Sequence, residues 1–494
     1  MQATPVSHIV IAGGGTAGWM TAAYLARWLD GVDIRVTLVE SELIGTVGVG
    51  EATVPGIRQF IKHLEVKESE FIKATNATFK LGIHFEGWAA PEQSFFHPFA
   101  GYGVDLEDRP FYKSWWSAKA QGYRAELDEF CLCTQLAKAG KFAQPSFDSA
   151  SRLAWYNYAY HFDASLFAKY LRGYAEQRQV KRVEGKISQV HLNPDSGCIQ
   201  SLELESGVCV EGDLFVDCSG FNALLIEKAL GVAYEDWSHW LPCDSALAVQ
   251  TRSNIAPDPF TRSIARSAGW QWHIPLQHRA GNGYVYSSQH VTHDQARHEL
   301  LSNLRGEPVT DPRLIRFTTG IRTEFWHKNC VAIGLSSGFL EPLESTSISL
   351  IQTGINKLAG FLVNFEIQAK HVAEANRLNR LEYERIRDFI ILHYALNGRS
   401  EPLWQQVRAM PIPATLAEKI EIFTATGDIH LLEQESFVEG SWVSMFYGFG
   451  LNPRDVGAVQ DAQKLQLLMD KMRSAVYQGA QYALSHQEFL KTLS

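Results

Sequence analysis

An α/β fold with a parallel nucleotide-binding sheet, an antiparallel sheet and a helical C-terminal layer is predicted by three observations. The chain opens as strand, glycine turn, helix and strand. Two later apolar strands also end in glycine. Beyond about residue 345 the strand signals fade and helical periodicity takes over. With 494 residues, 46% of them hydrophobic and 20% charged, the chain can bury a large core and has length for two domains.

The opening unit is His8–Ala12 as strand, Gly13–Gly18 as turn, Trp19–Leu29 as helix and Arg35–Glu40 as strand, the order of a nucleotide-binding βαβ unit. Gly13, Gly15 and Gly18 fit the pattern GxGxxG. The first permits the tight turn, the second lets a pyrophosphate approach the backbone, and the third lets helix pack on strand. Thr16 and Ala17 then begin the helix, whose amino end faces the anion. Glu40, 22 residues after Gly18, stands where a carboxylate accepts hydrogen bonds from ribose. The plain alternative is a glycine turn without a ligand.

From Val183 to Val210 short alternating strands are broken by Asn193-Pro194-Asp195-Ser196-Gly197 and Glu205-Ser206-Gly207, which predicts antiparallel sheet with tight turns. Asp213–Asp217 runs into Cys218-Ser219-Gly220, and Cys330–Ile333 runs into Gly334. With His8–Ala12 these strands are expected side by side in one parallel sheet, the nucleotide lying across their carboxyl ends. Recruitment of such distant segments favours FAD over NAD. Only one complete fingerprint is present, so FAD in that site leaves none visible for NAD(P)H, and the flavin is expected to arrive reduced from a separate NAD(P)H-dependent flavin reductase. Ile348–Phe365 and Lys370–Ala395 read as helices. The expected division is residues 1–365 as a FAD-binding domain with interleaved antiparallel-sheet and substrate segments, and 366–494 as a mainly helical, substrate-covering region. No internal repeat or flexible linker separates them.

Composition narrows the function. A net charge of −9 gives no basic face for polyanions, so nucleic acid is excluded as a partner. Seven cysteines without a CxxC pair indicate neither a disulfide framework nor a zinc site, and no metal is expected. No apolar run is long enough to span a bilayer, and the first strand starts too near Met1 for a cleavable signal peptide, so a cytoplasmic protein is expected; a homodimer is left open. The 13 Trp and 27 Phe suit either a core or a pocket for flat rings.

Several segments carry chemistry. Gly269-Trp270-Gln271-Trp272-His273-Ile274-Pro275 sets two tryptophans on one face of a strand, where two core rings are the plain reading. Lys80 lies in the apolar segment Phe79-Lys80-Leu81-Gly82-Ile83, although a bare lysine is overwhelmingly a solvated charge. A desolvated ammonium has a lowered pKa and a directional proton. Leu340-Glu341-Pro342-Leu343-Glu344-Ser345-Thr346 opens a helix whose first amides either hold an anion or are capped by Ser and Thr. Together these stretches resemble the flavin-dependent tryptophan halogenase family over nearly the whole chain. The resemblance rests on the WxWxIP signature, the EPLEST segment and the lysine eight residues before Trp88, with support from Gly45–Pro55 and His97-Pro98-Phe99.

What this resemblance implies is a FAD-binding Rossmann-like flavoprotein monooxygenase fold and FADH2- and O2-dependent halogenation of an electron-rich aromatic substrate, with chloride or bromide as co-substrate. Flavin hydroperoxide would oxidise halide to hypohalous acid, which travels to Lys80. Lys80 would present electrophilic halogen as hydrogen-bonded hypohalous acid or a haloamine, while Glu344 polarises it or removes the ring proton. Gly48, Val49 and Ala52 would lie on the flavin with Gly334, and Thr346 and Ser347 would hold the halide. Trp270 and Trp272 would separate flavin from substrate and line the pocket with His97, Phe99, Ser345 and Trp442. Two departures stand out. Ser347 replaces a usual glycine, and Trp442-Val443 replaces the paired tyrosines of tryptophan-specific members; valine cannot bind a carboxylate. Indole or an indole derivative is therefore favoured over free tryptophan. A flavin-dependent aromatic hydroxylase is the alternative within enzymes, and a flavin-binding protein without turnover the alternative outside them.

Overall fold

The computed structural model describes residues 4–43, 51–106, 109–146, 152–253, 255–457, 459 and 461–493. Two units alternate along the chain. One comprises Met1–Ala77, Phe162–His239 and Arg316–Glu384, the other Thr78–His161, Trp240–Ile315 and Arg385–Ser494. A cut at residue 365 falls inside the first unit.

The first unit is built on a six-stranded sheet in the order Lys181–Glu184, Arg35–Glu40, His8–Ala12, Leu214–Asp217, Cys330–Ala332, Trp326–His327. All pairings are parallel except that of the Trp326–His327 edge. The three glycine-terminated strands are neighbours, as expected. Their register sets Asp217 beside both Ala12 and Ala332, so their carboxyl ends emerge together. Ile9, Val10, Ile11 and Ala12 are all fully buried, which explains why the strand reads as a continuous apolar run rather than an alternating one.

Ile187–Leu192, Ile199–Leu204 and Cys209–Glu211 form the predicted antiparallel sheet, and Leu202, Leu204 and Val210 pack with Val10, Val39 and Phe215 in one cluster. Lys181–Glu184 departs from that expectation. It follows the helix Ala164–Glu176, which returns the chain parallel to Arg35–Glu40, and so it joins the parallel sheet. The helix Thr16–Trp28 packs on Ala164–Glu176 and on Ser347–Phe361.

The second unit contains a seven-stranded sheet in the order Arg313–Arg316, Ser245–Arg252, Arg279–Tyr286, Gly269–Pro275, Thr261–Arg266, Gly82–Glu86, Ser94–Pro98. Thr261–Arg266 pairs in parallel with Gly82–Glu86; the ladders flanking Gly269–Pro275 are antiparallel, and every residue of that central strand is buried. Helices follow at Pro402–Ala409, Ala414–Thr426, Glu439–Gly448, Ala462–Tyr482 and His486–Lys491, after the long helix Ala369–Ala395. The C-terminal region is thus helical, as its periodicity predicts. Among the described residues no helix is long and apolar enough to cross a membrane.

Candidate active site

The glycine fingerprint adopts the geometry its spacing requires. Gly13 has φ +114°, and a Cβ there would stand 2.4 Å from the Cys218 carbonyl oxygen; one on Gly18 would stand 1.8 Å from that of Gly13. Neither position admits a side chain. Around Gly15, by contrast, nothing lies within 4 Å of an added Cβ, so the backbone is open to a ligand where the helix begins. That helix starts at Thr16 and Ala17 with no side-chain cap and no acidic residue in its first turn, which leaves its amides for an anion. Gly334 stands against Ala17, 2.9 Å from methyl carbon to added Cβ. The Glu40 carboxylate accepts from Arg182 Nε at 2.6 Å and from Trp19 Nε1 at 3.3 Å, so it is held in place at the strand end. Arg182 belongs to a distant strand and has no signal in the motif. Ala52 is buried, whereas Gly48 and Val49 lie outside the described residues. Next to Ala52, burial pushes the Glu51 carboxyl up to about 7.

Glu344 is buried at the end of the 3-10 turn Pro342–Glu344. Ser345 follows with φ 60°, a left-handed conformation that costs a non-glycine residue about 1 kcal/mol or more and recurs where function fixes the backbone. Thr346 and Ser347 then begin the helix Ser347–Phe361. Thr346 makes no side-chain cap, and its buried Oγ1 has no hydrogen-bond partner among the described residues. Thr346 therefore does not serve as a side-chain cap of this helix.

In the second unit Lys80 ends the strand Thr78–Lys80 with 0% exposure, its Nζ 5.2 Å from the Phe99 ring centroid. The neighbouring strand places His161 opposite Thr78 and Ala159 opposite Lys80. Thr78 donates its hydroxyl proton to the Pro275 carbonyl at 2.7 Å, so at 3.0 Å it can only accept from His161 Nδ1. The proton of His161 therefore sits on Nδ1, and Nε2 accepts from Thr261 Oγ1 at 2.9 Å. Burial, with the charge of Lys80 next in weight, holds His161 well below the ordinary histidine range. His486 is locked in the same way. Its Nε2 accepts from the Phe79 amide at 3.0 Å, its Nδ1 donates to the Pro257 carbonyl at 2.9 Å, and burial lowers it to about 4. Two neutral imidazoles thus fasten the strand that carries the lysine.

An aromatic cluster joins the expected pocket residues. His97 lies 6.5 Å from Phe99, 5.8 Å from Phe389 and 6.4 Å from Phe437, and Phe389 meets Trp442 edge-on at 4.9 Å. Phe389 and Phe437 have no sequence signal, because helix and loop residues from the C-terminal region reach His97 only in the folded chain. Trp270 and Trp272 lie 6.1 Å apart, and Trp272 is seated over Gly283 of the adjacent strand, where a Cβ would stand 2.0 Å from its ring. The buried Nε1 of Trp272 and that of Trp442 have no hydrogen-bond partner among the described residues. A cavity of about 230 Å³ is lined by Gly101, Asp105, Tyr156, Glu439 and Val443 among others, and among the described residues no lysine or arginine lines it. Val443 faces it; Trp442 packs into the aromatic cluster instead.

A glycine cradle open at Gly15, uncapped helix amides and a carboxylate at the second strand end fit the pyrophosphate and ribose of FAD, and these features define a protein of the dinucleotide-binding α/β class. Comparison with known proteins makes the family specific: residues 8–464 match the family described as tryptophan halogenase, and the chain belongs to it. It is similar to BrvH, a flavin-dependent halogenase from Brevundimonas sp. BAL3, with a TM-score of 0.95, 46% identity and 99% of each chain covered. Xcc4156, a flavin-dependent halogenase from Xanthomonas campestris, matches with a TM-score of 0.94 and 44% identity over 99% of this chain and 98% of that one. Tryptophan 6-halogenase SttH from Streptomyces toxytricini is 37% identical over 84% of this chain and 83% of its own. The protein is accordingly a flavin-dependent halogenase, an oxidoreductase that works with FAD, a halide and a separate flavin reductase.

Proposed function

We propose that this enzyme brominates or chlorinates an indole-type aromatic without a carboxylate, with Lys80 presenting the halogen electrophile. The observation that carries the reading is the complete burial of Lys80 against Phe99, at one end of the cluster that continues through His97 to Trp442. A solvated lysine would spend its protons on water; a buried one directs them.

The FAD pyrophosphate would be held by Gly13, Gly15, Thr16, Ala17 and Gly18 and the ribose by Glu40, with Gly48, Val49, Ala52 and Gly334 along the remainder of the cofactor. Reduced FAD and oxygen supply the oxidation of halide to hypohalous acid. Thr346 and Ser347 hold the halide, the former through a buried hydroxyl that has no other partner among the described residues. Trp270 and Trp272 keep the organic substrate from the flavin, so that oxygen is not transferred to it directly. Lys80 receives the hypohalous acid either as hydrogen-bond donor to its oxygen or as nucleophile. In the second case the amine takes the halogen, water leaves, and the N–halogen bond then breaks as the ring carbon takes the halogen. Glu344 accepts the ring proton, and Ser345 lines the pocket. Trp442-Val443 stands where tryptophan-specific members carry paired tyrosines, and Val443 has no hydroxyl to offer the carboxylate of free tryptophan, which those tyrosines would bind.

The test supplies FAD, a flavin reductase, oxygen and bromide with indole or tryptophan, and reads products by mass spectrometry. Bromoindole is expected in preference to bromotryptophan. Lys80→Ala is expected to bind FAD normally and to lose product by about a hundredfold or more. Bromination retained in that variant removes the lysine from the mechanism, and a hydroxylated product that needs no bromide would establish the hydroxylase instead.

A further inference from the structure

Three strands of the antiparallel sheet in the first unit bring together metal-ligating side chains that no sequence motif joins. His191 stands on Ile187–Leu192, Glu203 on Ile199–Leu204 and Cys209 on Cys209–Glu211. The ladder sets Glu203 directly opposite Cys209 and sets Ser201 opposite His191, so His191 and Glu203 are diagonal neighbours. The row Val190, Leu202 and Val210 points into the hydrophobic core, and the alternation of the strands turns His191, Glu203 and Cys209 to the other face.

His191 Nε2 lies 2.7 Å from Glu203 Oε2, and one ligand atom from each of the three residues falls within 4.8 Å of the others. Zinc bonds of roughly 2.0–2.3 Å place tetrahedral donors about 3.3–3.8 Å apart, so donors within 4.8 Å of one another have about 1 Å to close. The donors are an imidazole, a thiol and a carboxylate. Calcium and magnesium take all-oxygen sets, whereas this combination suits a zinc-class ion. Cys209 is exposed while Cys131, Cys133, Cys218, Cys243 and Cys330 are buried, so its sulfur is accessible to an ion from solution.

We propose that His191, Glu203 and Cys209 form a surface site for a thiophilic divalent cation of the zinc class, with water completing the coordination. Binding displaces the thiol proton and the His191–Glu203 hydrogen bond, so affinity falls as the solution is acidified. The ion would add a cross-link among three strands already joined by their backbone ladder and by the hydrophobic cluster beneath it.

Cobalt(II) titrated into the full-length protein gives the decisive readout. One equivalent is expected to produce a thiolate-to-cobalt charge-transfer band that one equivalent of zinc abolishes. Cys209→Ser should eliminate the band, and His191→Ala and Glu203→Gln should each weaken binding about tenfold or more. Alkylation of Cys209 in the native protein should block the site without any substitution. A wild-type protein without the band, a band that survives in Cys209→Ser or after alkylation, or undiminished affinity in either of the other variants overturns the proposal.

Discussion

Thr346 shows how a single side chain separates function from architecture. Its buried hydroxyl has no partner among the described residues and is a net cost to the fold, since it has left water and gained no bond there. Replacing it with the isosteric valine should therefore leave the melting temperature unchanged or raise it. If the hydroxyl is reserved for halide, Thr346→Val should raise the bromide concentration needed for half-maximal rate by about ten- to a hundredfold, the value of one hydrogen bond to a charged partner. Steady-state kinetics at varied bromide, with melting curves alongside, checks both halves; an unchanged bromide dependence removes Thr346 from the halide site. At this scale much was legible in advance. The tight backbone geometry of Gly13 and Gly18 follows from their spacing, and the burial of Lys80 from its apolar flanks. Thr78, His161 and Arg182 were not legible, because each acts through a partner that strand pairing brings to it.

At the scale of elements, the strand carrying Lys80 depends on the C-terminal helix His486–Lys491. His486 holds the Phe79 amide, and Phe489 packs edge-on to the Phe79 ring at 5.3 Å. His486 titrates at about 4 in the folded protein and at 6.5 when unfolded, so between these values the unfolded chain binds more protons. The sign is that of a depressed histidine: full stability holds above pH 6.5 and is lost as pH falls toward 4, by about 3 kcal/mol at most. His161 adds a loss in the same direction. Glutamine keeps an acceptor and a donor on one planar group but cannot titrate. Denaturant unfolding at pH 7 and pH 5 should therefore show a shallower pH dependence in His486→Gln than in the wild type. Equal slopes in the two proteins contradict this assignment. Strand and helix types followed from periodicity with few exceptions. Lys181–Glu184 was the instructive one, since its local pattern matches either sheet and only the preceding helix directs it to the parallel one.

For the whole molecule, the alternation of the two units along the chain means that no single cut separates them. Lys357 and Thr353 of the first unit share the buried carboxylate of Glu382, the latter at 2.9 Å. Ending the chain at residue 365 would strand the Lys357 charge, at a cost of about 3–5 kcal/mol, and would strip Phe389, Phe437 and Trp442 from the aromatic cluster. Residues 1–365 expressed alone are accordingly expected to be recovered unfolded or without FAD; a stable fragment that binds FAD at wild-type affinity refutes this. The sequence alone determined the class of fold, the dinucleotide cradle and the lysine with its flanking motifs, because all of these are short segments whose conformation follows from local sterics and periodicity. Tertiary structure alone decided which distant side chains serve them: the two locked histidines beside Lys80, the phenylalanines that join His97 to Trp442, the arginine on Glu40, and the meeting of His191, Glu203 and Cys209 across a ladder. Each of those contacts depends on strand register or helix placement, which no window of sequence contains.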